Sequence, residues 1–371
     1  MKNKQQQYGQ FFTPDEMSKE VIDIIEKFRS IEGDVLEPSF GDGSFLRTLS
    51  GYDIDIDAFE IDENIFKEYD GINTKINDFI LDETNKKYDF IVGNPPYIEL
   101  PYSFYDQETQ DIITNKYKRL SNGRLNLAHI FLYKSFKQIK KDGIIAYLLP
   151  SVILTSPYYR EIRGMIYKNF EILHIEKDTK FKGVAIKVSL LIIQKKKSEN
   201  KPYFVNYNDN YYICDNYKKY PENVTFFDDE GFSGSIGEIV WNQKKELLTS
   251  VNTEKILCYS TNIKRDDFIV KDKVSSDENK KQYIKNTEVK YKDCIIIPRT
   301  ISKKLKFYLI LDNENYIFEN HVIIITHKDK DKLIWLYEKM KGNELDKYFD
   351  LFFNSSSLSI SELKNLPIPK K

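Results

Sequence analysis

The sequence predicts an α/β protein: a mostly parallel, seven-stranded sheet with flanking helices, followed by a separate α+β domain. Three observations predict it. In the first 195 residues, apolar positions alternate between helical and strand periodicity. A polar, charged stretch from Lys195 to Lys201 ends that alternation. Beyond it come short aromatic-rich strands, Asn and Asp turns and few long helices. At roughly 100–200 residues per domain, the length allows two domains. We place them at residues 1–195 and 202–371.

Each element has a local cause. Thr13-Pro14 opens a helix, with Thr13 as cap and Met17, Val21, Ile24, Ile25 and Phe28 at helical spacing. Asp34 to Glu37 is a strand stopped by Pro38. The turn Phe40-Gly41-Asp42-Gly43 leads into a helix from Ser44. Tyr52 to Ile61 is the second strand, and Asp62 caps a helix reaching Tyr69. The remaining strands are Gly71 to Ile76, Tyr88 to Gly93, Ile144 to Leu149, Phe170 to Ile175 and Val184 to Gln194. Helices at Asn126 to Lys140 and Pro157 to Asn169 separate the later ones. In the second domain, helices are predicted at Lys330 to Gly342 and Glu344 to Phe353, and a buried strand at Cys294 to Ile297.

Composition excludes several classes. The N-terminus has no apolar run, which argues against a signal peptide, and no further domain is expected before Tyr8. The longest apolar stretch, Ile144 to Thr155, is interrupted by Pro150 and falls short of the ~20 residues of a membrane helix. Cys214, Cys258 and Cys294 form no close pair, so a reducing cytoplasm fits and no disulfide framework is expected. The four histidines lack ligand spacing, so no metal site is assigned. Net charge is −1 but unevenly spread: residues 1–110 carry 10 basic and 24 acidic residues, and residues 111–200 carry 18 and 7. A phosphate backbone would be drawn to the basic middle, and such binding would weaken with salt.

The candidate pocket sits where parallel strands end. A parallel sheet binds ligands at the carboxyl ends of its strands. Glu37, Pro38, Gly41 and Gly43 lie on the turn after the first strand, where glycines let the backbone approach a ligand. Glu60, followed by Ile61, ends the second strand and suits both hydroxyls of an adenosine ribose. The turn lacks the GxGxxG pattern of a dinucleotide site. Asp78 and Phe79, after the third strand, offer a carboxylate for an adenine amino group and a ring to cover it. Gln10 to Pro14 is placed to close over a methionine moiety.

The catalytic candidate is Asn94-Pro95-Pro96-Tyr97, directly after the fourth strand. Two prolines stiffen the turn. The Asn94 side-chain carbonyl and the Pro95 backbone carbonyl are then fixed acceptors for the two N–H bonds of an exocyclic amine. Held so, its nitrogen lone pair is raised toward the methyl sulfonium of S-adenosylmethionine, by positioning rather than general-base chemistry. A base inside a duplex must swing out to reach such a pocket. Tyr97 is the proposed stacking partner and Phe181 a second.

These motifs resemble the gamma group of amino-methyltransferases, the N6-adenine DNA enzymes of bacterial restriction–modification systems. The order Gly9–Pro14, Leu36–Phe45, Phe59–Asp62, Asn77–Phe79, Asn94–Tyr97 is that of the group, and the likeness covers residues 8–194. It implies a Rossmann-like methyltransferase domain followed by a DNA target-recognition domain. It implies that Thr13, Glu37, Glu60, Asp78 and Phe79 contact the cofactor, and that Asn94, Pro95, Tyr97 and Phe181 hold the base. Ala58 departs from the Gly often found there. Double-stranded DNA is the implied partner, with a separate restriction endonuclease acting at the same site. The protein is expected to be a cytoplasmic monomer, bacterial or phage-encoded, that methylates without cutting.

Residues 99–125 carry Lys116, Lys118, Arg119 and Arg124 and are read either as a loop that orders on DNA or as a surface insertion. In the second domain, Pro298 to Lys304 is a candidate DNA-contacting segment. Asn354 to Ser357 with Leu366 to Pro369 resembles the end of recognition domains in this group. Three alternatives stay open: an RNA or protein-glutamine methyltransferase, an N4-cytosine DNA methyltransferase, and a DNA-binding specificity subunit without catalysis.

Overall fold

A computed structural model describes the chain except residues 1–8, 121–124, 180–186, 200, 208–209, 216–223, 253, 272, 301–303, 343–344, 347–356 and 371. The chain forms two compact units, residues 1–217 and 218–371.

The first unit is built on a seven-stranded sheet. In chain order its elements are α1 (Asp15–Glu26), β1 (Gly33–Glu37), α2 (Ser44–Leu49), β2 (Ile54–Glu60), β3 (Asn73–Ile76), β4 (Tyr88–Gly93), α3 (Gln107–Tyr117), α4 (Leu127–Gln138), β5 (Ile139–Pro150), α5 (Arg160–Asn169), β6 (Glu171–Thr179) and β7 (Val188–Gln194). The spatial order is β3-β2-β1-β4-β5-β7-β6. Six strands point the same way; β7 alone runs antiparallel, to both its neighbours β5 and β6. Strand order reverses between β1 and β4, which opens a crevice beyond their carboxyl ends. Val35, Leu36, Phe90, Ile91 and Ile144 to Leu149 are buried, as expected for strands covered on both faces.

Several local predictions need correction. Thr13 does not cap the first helix: Pro14 holds the cap position without a side-chain bond, and the Thr13 hydroxyl turns to Asn94 instead. No helix runs from Asp62 to Tyr69. A turn closed by the Asp62 carbonyl replaces it. The Asp62 carboxylate accepts from Asn64 N–H and the Gln10 amide, and the Phe66 and Tyr69 rings fold against Phe40. The helix predicted to Lys140 stops at Gln138, because Ile139 already pairs with Tyr88. Residues 102–120, within the stretch 99–125, contain a helix and two short turns of helix. Asp106 caps α3 by accepting from Thr109 N–H, and Ile113, Tyr117 and Leu120 are buried.

The first unit also extends past the charged stretch at 195–201. A hairpin, β8 (Phe204–Tyr207) and β9 (Asn210–Ile213), packs on α5. Tyr211 stacks on Tyr167 at 4.0 Å, and the buried Arg163 donates to the Tyr211 carbonyl. Aromatic stacking and a buried guanidinium hold the hairpin to this unit, so the structural boundary falls later than the composition break.

The second unit is largely β. One four-stranded antiparallel sheet has the order 233–236, 322–326, 294–298, 308–310, with Cys294 to Ile297 fully buried. A second, mixed sheet contains strands 248–249, 283–284, 255–258 and 316–318. Lys330–Lys341 is helical as predicted, whereas most of the predicted Glu344 to Phe353 helix lies outside the described residues. Pro367–Pro369 pairs with Val224–Phe226, and a short helix, Ile360–Lys364, precedes it. Among the described residues no helix is long and apolar enough to cross a membrane.

Candidate active site

One cavity lies at the carboxyl ends of β1 to β4, with about 780 Å³ of empty space, part of it open to solvent. Each strand delivers one chemical group. From β1 come Pro38, Ser39 and Gly41; from β2, Glu60 and Ile61; from β3, Asn77, Asp78 and Phe79; from β4, Asn94 and Pro95. Phe11 and Phe12 close one side. Ten residues predicted from sequence therefore have a defined relation to this cavity, eight of them on its wall: Pro38, Gly41, Glu60, Ile61, Asp78, Phe79, Asn94 and Pro95. Thr13 and Tyr97 stand behind it, bonded to Asn94. Glu37 and Gly43 are also outside the wall. Phe181 lies outside the described residues, as do Asn354 to Ser356 and the 301–303 part of the basic segment.

The glycine turn combines positive φ values with close side-chain neighbours. Gly43 has φ +82°, and a Cβ there would fall 1.9 Å from the Tyr69 hydroxyl. It stands in the left-handed cap position from which α2 starts. Gly41, at φ +56°, has its added Cβ 3.2 Å from the Phe12 ring. Its N–H donates to Glu60 Oε2 at 2.9 Å. Asp62 N–H donates to Glu60 Oε1 at 2.9 Å. Two backbone donors thus fix the Glu60 carboxylate and leave each oxygen a further lone pair for a diol. Burial raises the Glu60 pKa, and those N–H bonds partly offset it.

Glu37 is 2% exposed, and its Oε2 has no hydrogen-bond partner; the buried Ser39 hydroxyl is also unpartnered. Burial pushes the Glu37 carboxyl well above its ordinary pKa, and Asp42 and Glu60 add to this. Orphaned buried acceptors call for an explanation. A cofactor with an ammonium group and a ribose would supply donors to this acidic turn and to Glu60. The residues present therefore fit S-adenosylmethionine.

Asn94 is held at its nitrogen end. Nδ2 donates to the Phe11 carbonyl at 2.8 Å and to the Thr13 hydroxyl at 3.1 Å. Both amide hydrogens are used, which fixes Oδ1 as the acceptor end. Tyr97 donates its hydroxyl to that oxygen. The Tyr97 ring is buried and stacked on Phe11, with centroids 6.0 Å apart and planes 27° apart. The predicted stacking ring is thus tucked behind the turn, against Phe11, which forms part of the cavity wall.

Sequence reasoning missed the supports of the third strand's loop. Lys134 of α4 is buried and donates to the carbonyls of Phe79, Ile80 and Asp82. Three ammonium hydrogens meet three backbone acceptors, with Nζ 4.7 Å from the centre of the Phe79 ring. Burial pushes its pKa down to about 8. Tyr117 donates to the Ile80 carbonyl at 3.1 Å. The only sequence signal was a lysine on the apolar side of a predicted helix.

Sheet order and site together define a class: a Rossmann-like methyltransferase that uses S-adenosylmethionine. The chain matches the profile of the Eco57I restriction-modification methylase family over residues 31–183. It is 26% identical over 398 residues to the modification methylase CviBIII of Paramecium bursaria Chlorella virus NC1A, covering 99% of this chain and 95% of that protein. It is 29% identical over 273 residues to the type II methyltransferase M.AccI of Acinetobacter calcoaceticus, covering 68% of this chain and 50% of that one. M.HincII of Haemophilus influenzae, also a type II methyltransferase, is 30% identical over 186 residues, covering 48% and 36%.

Proposed function

We propose that the protein is a site-specific DNA methyltransferase that moves a methyl group from S-adenosylmethionine to the N6 amino group of an adenine swung out of the duplex. One observation carries this reading: the oriented Asn94 carbonyl shares a cavity with Glu60 and Asp78. An amine acceptor and a nucleoside-binding pair of acids then serve one reaction centre.

Bound S-adenosylmethionine supplies an electrophilic methyl on a sulfonium. Everything else falls to the chain. Glu60 and Asp78 hold the nucleoside part, with Phe79 beneath Lys134 as a fixed ring. Asn94 Oδ1 and the Pro95 carbonyl accept the two N–H bonds of the target amine. The amine takes the place of the Tyr97 hydroxyl on Oδ1, which releases Tyr97 from its bond and couples base entry to its movement. No general base is needed while the nitrogen lone pair attacks, because the proton is lost after the methyl arrives. Phe11, beside Asn94, and the released Tyr97 are the aromatic faces for the extruded base.

The second unit is the proposed target reader, and a separate endonuclease that cuts the unmethylated site is the proposed functional partner of a monomeric enzyme. The test is transfer of labelled methyl to duplex DNA, followed by digestion to nucleosides and mass analysis. N6-methyldeoxyadenosine is the expected product. N4-methyldeoxycytidine would overturn the base assignment, and label confined to RNA or protein would overturn the substrate.

A further inference from the structure

We infer that Tyr105 is a positioning residue of the cofactor site: its hydroxyl clamps Asp78 so that this carboxylate reads the amino group of the cofactor's adenine. The inference rests on the S-adenosylmethionine reading above and extends it to the segment after the catalytic turn.

The argument starts from Asp78. Its carboxylate lines the cavity beside Phe79. One oxygen, Oδ1, accepts from Ile80 N–H at 2.8 Å. The other, Oδ2, accepts from the Tyr105 hydroxyl at 2.8 Å. A carboxylate fixed at both oxygens cannot turn, and each oxygen keeps a lone pair. That rigid acceptor suits a 6-amino purine and opposes a 6-oxo purine, whose carbonyl would face it acceptor to acceptor. A site built to bond an amine discriminates strongly against the analogue that lacks it.

Tyr105 reaches Asp78 from an unexpected direction. It lies 27 residues downstream, just beyond the catalytic turn. Pro101, Phe104 and Tyr105 all form cavity wall. The Gln110 side chain, on the first turns of α3, donates to the Tyr105 carbonyl at 2.9 Å and anchors it. Residues 99–125 were read as a loop for DNA or a surface insertion. Their first part instead faces the cofactor cavity. Burial raises the Tyr105 hydroxyl pKa, with the Asp78 charge adding to it, so the hydroxyl stays a donor through the working pH range.

The test compares S-adenosylhomocysteine with S-inosylhomocysteine, which carries oxygen in place of the amino group. Calorimetric titration of the full chain gives both dissociation constants. Tyr105→Phe keeps the ring as wall and removes only the hydroxyl. We expect it to weaken S-adenosylhomocysteine roughly tenfold, the size of one hydrogen bond to a charged group, and to leave S-inosylhomocysteine unchanged. With S-adenosylmethionine varied, KM for the cofactor rises, and kcat reached at saturation stays within about twofold, since Tyr105 acts only through Asp78. Tyr105→Met, which removes ring and hydroxyl, shows the same loss of selectivity on top of weaker binding of both ligands. Equal weakening of both ligands by Tyr105→Phe, or no change in either, overturns the proposal. Failure of the unsubstituted protein to bind S-adenosylhomocysteine overturns the methyltransferase reading instead.

Discussion

The two ends of the central sheet treat their carboxylates in opposite ways. At the amino end, Asp34, Asp57 and Asp89 are held by cations. Lys140 lies 2.8 Å from Asp34 and 2.7 Å from Asp89, and Lys86 lies 3.2 Å from Asp34 and 2.8 Å from Asp57. All three have lowered pKa values. For Asp34 the Lys140 bond is the main cause; for Asp57 and Asp89, burial opposes the shift and the bonds outweigh it. At the carboxyl end, Glu37 and Glu60 are buried with no ion pair among the described residues, and burial raises both. One end neutralises its charge internally. The other keeps unmatched acceptors, which is what a site for a cationic, donor-rich ligand requires.

The comparison predicts that substitutions at the carboxyl end cost activity and those at the amino end cost stability. Asn94→Ala gives the largest effect. It removes an acceptor used as the amine becomes positive, so kcat falls by about 10³-fold, the scale of losing one preorganised polar contact at a reacting group. The Phe11 carbonyl and Thr13 hydroxyl lose their donor, but Phe11 lies on the wall of an open cavity from which water can enter the space left by the side chain. S-adenosylhomocysteine affinity therefore stays within about threefold of its starting value, taking half a kcal/mol or so as the limit for an indirect change. Turnover near the unsubstituted rate would end the assigned role of Asn94.

Asp89→Asn tests the other end. The side chain accepts from Asp34 N–H at 3.0 Å and meets Lys140 and Arg29. An amide keeps the shape and loses the charge. We expect a loss of about 1–2 kcal/mol in unfolding free energy near neutral pH, for charge-assisted bonds at a partly exposed site. Methylation kinetics should not change. The sign with pH follows from the lowered pKa. Asp89 contributes its stability above the unfolded value of about 3.9, and the contribution is lost as pH falls through the lower folded value. Denaturant titrations should therefore show the gap between the two proteins closing in acid. A gap that persists there would mean packing, not charge, holds this end.

Most of this contrast was legible in the sequence at one end only. The strand-terminal groups Glu37, Glu60, Asp78 and Asn94 follow apolar runs and precede turn residues, so their placement at one sheet edge could be derived. The third to fifth strands were found because each is a short apolar or β-branched run bounded by Gly, Asn or Pro. Asp34, Asp57 and Asp89 gave no signal, because acids inside or before a strand look like ordinary surface charge until tertiary pairing brings Lys86 and Lys140 to them. The Asp62 helix failed for a related reason: a capping pattern was overridden by two aromatic rings that pack better off the helix. Tyr105 and Lys134 were invisible because they act across 27 and 55 residues of chain, through contacts that no periodicity encodes.

Glu37→Gln sharpens the comparison with the smallest effect and the opposite sign. A carboxyl with a raised folded pKa keeps its proton after the unfolded chain has released it, near pH 4.3 or so. Between those two values the native state binds more protons than the unfolded state, so stability falls as pH rises through that window. Glutamine carries no such penalty and nearly preserves the shape. The variant should therefore match the unsubstituted protein near pH 4 and melt higher near pH 8, by a few degrees at about 2–4 °C per kcal/mol for a unit of this size. The same substitution should weaken S-adenosylhomocysteine, because a neutral amide is a poorer partner for an ammonium group. Melting curves at the two pH values, with and without that ligand, measure both effects at once. A melting difference independent of pH would show that Glu37 is held by contacts rather than strained by burial, and the division between the sheet's two ends would then rest on Glu60 alone.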